Sequence, residues 1–203
     1  VDGAVGIAEH LKVPKMLIGI VLVSMATTAP ELAVSVIAAL QGHPEMALGN
    51  AVGSVIVDDG VALGLGALVA STPILVNPYL LKTTGIFLIV VDLAAYAMVF
   101  DGTLDRSEGI VLLVLFAIYT VFAYTTRRRS SDDDPALEEL AEIEEVVSGK
   151  GLGVLMLWFG IGLVGVLLAS HYIVESCVAI ASHLGVSEAV ISLTIVAIGT
   201  SLP

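Results

Sequence analysis

Ala26-Thr27-Thr28-Ala29-Pro30-Glu31-Leu32 lies inside an apolar run of residues 14–40. A run of that length can cross a bilayer, which takes roughly 20 apolar residues. Yet its middle carries a carboxylate, two hydroxyls and a proline. Pro30 has no N–H, and its ring crowds the carbonyl of Ala26, so the helix is expected to open there. Opened backbone survives in lipid only against protein or a watery cavity. An ionised side chain at that depth costs at least about 2.5–3.5 kcal/mol and is rarely idle. Carbonyl, hydroxyl and carboxylate oxygens together suit a hard cation. The stretch therefore predicts a cation site at the membrane midplane.

The next apolar segment reads Gly49-Asn50-Ala51-Val52-Gly53-Ser54-Val55-Ile56-Val57-Asp58-Asp59-Gly60. Its glycines allow close helix contact and weaken the helix locally. Ser54 and Asp58 stand four apart and share a helical face, while Asp59 points elsewhere. Carboxylates gathered in one dry site cannot all stay ionised without a cation or a proton. One alternative is sodium coupling, the other proton coupling, and both stay open at this point.

The whole chain fits such a setting. It is 57% hydrophobic with only 14% charged residues, and its mean hydropathy is +1.01. This is the composition of a membrane protein. Twenty glycines suit closely packed transmembrane helices. A net charge of −12 argues against nucleic acid as a partner. Cys177 is the only cysteine, which excludes disulfides and thiolate metal sites within one chain and reads as a small apolar residue.

Apolar segments follow one another at spanning length: a partial helix through about residue 9, then 14–40, 46–71, 79–100, 109–124, 151–182 and 187–203. The predicted organisation is a first repeat half over 1–125, an acidic cytoplasmic loop over 126–150, and a second half beginning at 151. Placing that loop inside puts Lys12, Lys15, Lys82, Arg127, Arg128, Arg129 and Lys150 on the cytoplasmic side. Arg106 alone falls outside, a marked positive-inside bias. Within the loop, Leu137, Leu140 and Ile143 recur at helical spacing among Asp132-Asp133-Asp134 and five glutamates. That pattern predicts a solvated acidic helix, or else a low-affinity regulatory divalent-ion surface.

The chain also repeats itself. Residues 1–30 align without gaps to 174–203, matching Ile7 with Ile180, Ala8 with Ala181, His10 with His183, Val13 with Val186, Ile18 with Ile191, Thr27 with Thr200 and Pro30 with Pro203. Five spanning segments separate the copies, so they enter the membrane from opposite sides. Lys12 and Lys15 of the inner connector become Gly185 and Glu188 in the outer one. Inverted repeats with broken helices at matching positions mark secondary transporters, with ions bound at the repeat interface.

At these residues the sequence resembles the calcium/cation antiporter superfamily, and within it the prokaryotic sodium/calcium exchangers. The family's two repeats each carry Gly-Thr-Ser-Leu-Pro-Glu followed by a Gly-Asn…Gly-Ser-Asn helix. Gly199-Thr200-Ser201-Leu202-Pro203 reproduces the second opening, and Ala26–Glu31 with Gly49-Asn50 and Gly53-Ser54 follow the first with changes. Asp101-Gly102, Arg106 and Glu108-Gly109 look like this family's connector before the fifth helix. The resemblance implies an all-α integral membrane fold of two inverted five-helix halves, the second cut short here, with broken helices at the midplane. It implies calcium and sodium as transported ions, and no cofactor. By the same resemblance Glu31 is the first repeat's central carboxylate, Thr27, Thr28 and Ser54 are oxygen ligands, and Asp58 stands in place of a usual Asn. Thr200 and Ser201 are the second repeat's hydroxyl ligands, whose partner carboxylate and helix are expected beyond Pro203. Ala26, Thr28, Ala29 and Val55 depart from the family's Gly, Ser, Leu and Asn. Both ends of the chain are expected to be incomplete, and 203 residues alone are not expected to transport.

The resulting expectation is an antiporter, not an enzyme, exchanging calcium for sodium by alternating access at a midplane site. A proton-coupled divalent-cation exchanger is the alternative, with a cation channel behind it. A channel needs a continuous pore and weak, multi-site binding, whereas carboxylates gathered at one site favour a carrier. No His-Glu-x-x-His and no phosphate-cradling Gly-rich loop is present to support an enzyme or nucleotide-driven pump. The expected surroundings are the lipid bilayer of a prokaryotic inner membrane, with no protein partner required. Asp92 reads as structural, and His10, His43 and His183 as interfacial.

Overall fold

A computed structural model describes residues 1–74, 76, 81–127 and 135–201. Leu202, Pro203, Arg128, Arg129 and Asp132-Asp133-Asp134 lie outside the described residues, as does part of the segment expected from 79. All regular structure among the described residues is helical. The chain divides into two compact units, one of Val1–Ser71 with Ala136–Pro203 and the other of Thr72–Pro135.

In the first unit, α1 (Asp2–His10) is followed by α2 (residues 15–27) and α3 (Ala29–Leu40). The axes of Val21–Thr27 and Ala29–Leu40 differ by 59°. The break falls at Thr28 (φ −87°, ψ 8°), two residues before Pro30. The proline sits in the first turn of α3, where its missing N–H would have had no helical partner in any case. The carbonyl of Ser24 accepts from the Thr28 N–H at 3.2 Å and closes the end of α2. α4 (Pro44–Val69), which its glycines were expected to weaken locally, runs on as one helix. It is distorted instead by a π-helical stretch, Val57–Ala62, that begins beside Asp58 and Asp59.

α7 (Pro135–Val147), α8 (Leu152–Leu184) and α9 (Glu188–Ser201) complete this unit. The acidic helix α7 is not wholly solvated. Leu140 is 1% exposed and clusters with Val5, Ala8, Ile18 and Val23, with Ile143 packed alongside. Lys15 reaches Glu144 at 2.5 Å. The sequence spacing of Leu140 and Ile143 is thus a docking face onto α1 and α2. Replacing Leu140 by Ala is expected to destabilise this docking by about 2–5 kcal/mol, the usual cost of emptying a filled leucine site. Faster amide hydrogen exchange over Pro135–Val147 would report it. Val146→Ala, at a position 49% exposed, is the control and should leave exchange unchanged.

The second unit contains a π-helical turn, Leu81–Gly85, then α5 (Ile86–Val99) and α6 (Arg106–Arg127). Phe87 stacks on Tyr119 with ring centroids 4.7 Å apart. Asp105 and Glu108 form a reciprocal cap at the start of α6. Asp105 accepts from the N–H groups of Ser107 (2.9 Å) and Glu108 (3.3 Å), while Glu108 accepts from the Asp105 N–H at 2.9 Å. The Ser107 hydroxyl, with these N–H groups, holds the Asp105 carboxyl below its ordinary range. Gly102 takes φ +85°, and Asp101 accepts from Thr103 N–H and hydroxyl at 3.0 Å. The Asp-Gly…Arg…Glu-Gly connector noted in the sequence is therefore a turn followed by a helix start. Asp92 is exposed on α5.

Three helices among the described residues are long and apolar enough to cross a membrane: Pro44–Val69, Arg106–Thr125 and Leu152–Leu184. The bent pair α2 and α3 makes a fourth if counted as one span, and α5 and α9 are shorter apolar helices.

Candidate cation site

Several local features recur at aligned positions of the internal repeat. Lys12 and its counterpart Gly185 both adopt left-handed backbone, at φ 57° and 65°. Val13 N–H donates to Ala8 O at 3.0 Å, and Val186 N–H to Ala181 O at 3.1 Å. Leu17 N–H donates to Pro14 O at 2.9 Å, and Val190 N–H to Ser187 O at 3.1 Å. His10 and His183 each bond back to the carbonyl four residues earlier, at 3.0 and 2.9 Å. Both copies then pass into π-helix, at Ile18–Val23 and Ser192–Val196. A left-handed residue followed by an i→i−5 bond is a common way for helices to end; what is particular here is that it recurs at the aligned positions, together with the histidine contacts and the π-helical stretches.

The hydroxyl pattern repeats too. Thr27 donates to Ser24 O at 3.0 Å and Thr200 to Ala197 O at 3.3 Å, again equivalent positions. Thr28 adds a second hydroxyl donation to Ser24 O at 2.9 Å. A hydroxyl whose proton is spent on a helix carbonyl keeps its lone pairs for another partner. Thr27 and Thr28 are exposed at the break, and Thr200 is half-buried.

Glu31 stands in the first turn of α3, beside the Thr200 hydroxyl and within Coulombic reach of Asp58. The end of α9 packs against both α3 and the π-helical stretch of α4, which brings the second copy's hydroxyls to the first copy's carboxylates. Ser54 is 7% exposed on α4, while Asp58, one turn on, is exposed. The buried oxygens Glu31 Oε2, Asn50 Oδ1, Ser54 Oγ and Ser201 Oγ have no hydrogen-bond partner among the described residues. Buried polar atoms are nearly always satisfied, so a cluster of orphans on neighbouring elements asks for an unseen partner. The carboxylate and hydroxyl oxygens of this group suit a hard cation such as sodium or calcium. Among the described residues no three His, Cys, Asp or Glu gather closely enough to hold a metal by themselves; two carboxylates and neutral oxygens are what this unit offers.

Close helix contact makes the arrangement possible. A Cβ on Gly49 would lie 2.9 Å from Ala189 O, and one on Gly53 2.6 Å from Leu193 O. Ser192 donates to Met46 O at 2.6 Å and ties α9 to α4. Asn50, fully buried, ties α4 to α3. The sequence reading quoted Asn50 without assigning it a role, and it passed over Ser192, which sits opposite Gly19 in the repeat. Nothing local to either residue tells which carbonyl it meets. At the other end of these elements, His43 and Glu188 meet at 2.8 Å beside an open cleft of about 690 Å³.

These features define an all-α membrane protein with an internal sequence repeat and with orphaned buried oxygens on the elements that pack beside the Thr28 break. The sodium/calcium exchanger protein family matches residues 1–125 and 154–203. The chain belongs to that family. It is 38% identical over 203 residues to the "Putative antiporter CaxA" of Alkalimonas amylolytica, covering 100% of this chain and 62% of that protein. It is 36% identical over 194 residues to inner membrane protein YrbG of Escherichia coli (strain K12), covering 94% and 58%. Sodium/calcium exchanger MaX1 of Methanosarcina acetivorans is 26% identical over 235 residues, covering 100% and 66%. The chain thus spans about three-fifths of the length of the first two relatives. No solved structure matches it significantly. The family match omits residues 126–153, the stretch that holds α7.

Proposed function

We propose that the protein containing this chain is a secondary-active cation antiporter that exchanges calcium for sodium. Glu31, Thr27, Thr28, Ser54, Asp58, Thr200 and Ser201 supply oxygens to one site at the membrane midplane. The observation that carries this reading is the group of buried, unpartnered oxygens around Glu31. The names of the Alkalimonas and Methanosarcina relatives, an antiporter and an exchanger, favour the same reading. Transport proceeds by alternating access, one repeat's helices rocking against the other's around the shared site. Residues 1–125 form the first repeat half, 126–150 a cytoplasmic loop, and the second half starts at 151, all in a prokaryotic inner membrane.

Radioactive calcium uptake by the intact protein in sealed vesicles tests the proposal, with outward sodium and outward proton gradients imposed separately. Uptake driven by sodium is expected. Uptake driven by protons alone would overturn sodium coupling and make the carboxylates titrating groups. Asp58 keeps that second reading alive, because it places a carboxylate near Glu31 where the family usually has Asn. Under sodium coupling, Asp58→Asn is expected to keep sodium-driven uptake with weakened calcium affinity, since it retains a ligating oxygen but loses a charge. Loss of a proton-driven component in that variant would assign the coupling proton to Asp58.

A further inference from the structure

We infer that Asn50 is a positioning residue for Glu31, an inference that rests on the cation-site reading above. Asn50 is 0% exposed. Its Nδ2 donates to the backbone carbonyl of Glu31 at 3.1 Å and to the Ser35 hydroxyl at 3.0 Å. Both amide hydrogens are therefore used, and both acceptors belong to the first two turns of α3. The alternative amide orientation would set Oδ1 against the Glu31 carbonyl oxygen, so the network fixes which atom points there. Polar crossbars between membrane helices are ordinarily modest in strength. This one differs in what it grips, the main chain of the central carboxylate residue itself.

The surroundings make Asn50 a reference point as well as a tether. Its neighbour Gly49 presses on Ala189 of α9. One turn earlier, Met46 O accepts from Ser192, also on α9. A single stretch of α4, Met46 to Asn50, thus holds the first copy's α3 on one side and the second copy's α9 on the other. The separation of Glu31 from Thr200 and Ser201 is set through that stretch. Ion size is read by that separation, because a rigid oxygen cage discriminates cations by the distances it enforces.

The test uses the intact protein in liposomes, with calcium and strontium as the probe ions. Asn50→Leu keeps the branched outline of the side chain, at greater volume, without either hydrogen bond. It is expected to raise the calcium KM about tenfold, the worth of one buried hydrogen bond, with little change in kcat. It should also flatten the preference for calcium over strontium. Ser35→Ala leaves the Glu31 contact in place and is expected to keep wild-type KM and ion preference. An unchanged KM and preference in Asn50→Leu overturns the inference, as do equal effects in Asn50→Leu and Ser35→Ala. If Asn50→Leu fails to fold, Asn50→Ala with calcium-induced thermal stabilisation as readout decides the same question. Glu31→Gln is run alongside. Undiminished calcium dependence there removes the site itself, whereas a dead Glu31→Gln beside a normal Asn50→Leu removes only the positioning role.

Discussion

Glu31→Gln is expected to abolish calcium transport while leaving the protein folded and inserted. The change is nearly isosteric, so the first turn of α3 and the Asn50 contact to the Glu31 carbonyl survive it. What disappears is the only carboxylate among the buried oxygens that lack a partner within residues Glu31, Asn50, Ser54 and Ser201. A dehydrated divalent cation needs that charge, since neutral oxygens alone do not replace its hydration shell well enough. Removing one partner of a buried charge pair typically costs about 3–5 kcal/mol, a loss of affinity of at least about a hundredfold. Equilibrium calcium binding to the purified protein and vesicle uptake should fall together. Binding at wild-type affinity in this variant would place the ion elsewhere in the molecule.

The break at Thr28 was legible because it follows from chemistry within a few residues. A proline, two hydroxyls and a glutamate inside an apolar run leave the helix few ways to continue. The break falls between Ala26 and Pro30, within the stretch expected to open, with Pro30 accommodated in the first turn of α3 and the carbonyl of Ser24 closing α2 ahead of it. The repeat was legible for a different reason: an alignment of residues 1–30 with 174–203 needs no structural knowledge. Its structural counterpart goes further. Lys12 holds a left-handed backbone that costs an L-residue roughly 1–2 kcal/mol, while Gly185 adopts the same conformation without that cost.

What the sequence concealed is long-range. The docking face of α7 could be seen as spacing, but its seat on Val5, Ala8, Ile18 and Val23 joins positions more than a hundred residues apart. The π-helical stretches at Ile18–Val23, Val57–Ala62 and Ser192–Val196 share no signature in residue type. They change the register of every side chain that follows. Ser54 and Asp58, placed on one face by a count of four, also differ in burial: Ser54 is buried and Asp58 exposed.

Gly53→Ala should have the second-largest effect, although it touches no proposed ligand. A methyl group there would lie 2.6 Å from the carbonyl oxygen of Leu193 and 2.7 Å from the Cβ of Ala197. One neighbour is main chain and the other the stub of a short side chain, so neither can swing away. α4 must then separate from α9, at an overpacking cost of about 1–3 kcal/mol. The separation would carry Ser54, the next residue, away from Thr200 and Ser201. Transport is expected to fall by at least about tenfold, the equivalent of roughly 1.4 kcal/mol, alongside a lower melting temperature. Gly60→Ala is the matched control in the same helix, because a Cβ there meets nothing within 4 Å. Equal loss in both variants would point to the helical conformation of α4, and not its contact with α9, as what the glycines serve. Loss in Gly53→Ala alone would tie the site to the distance between the two copies of the repeat.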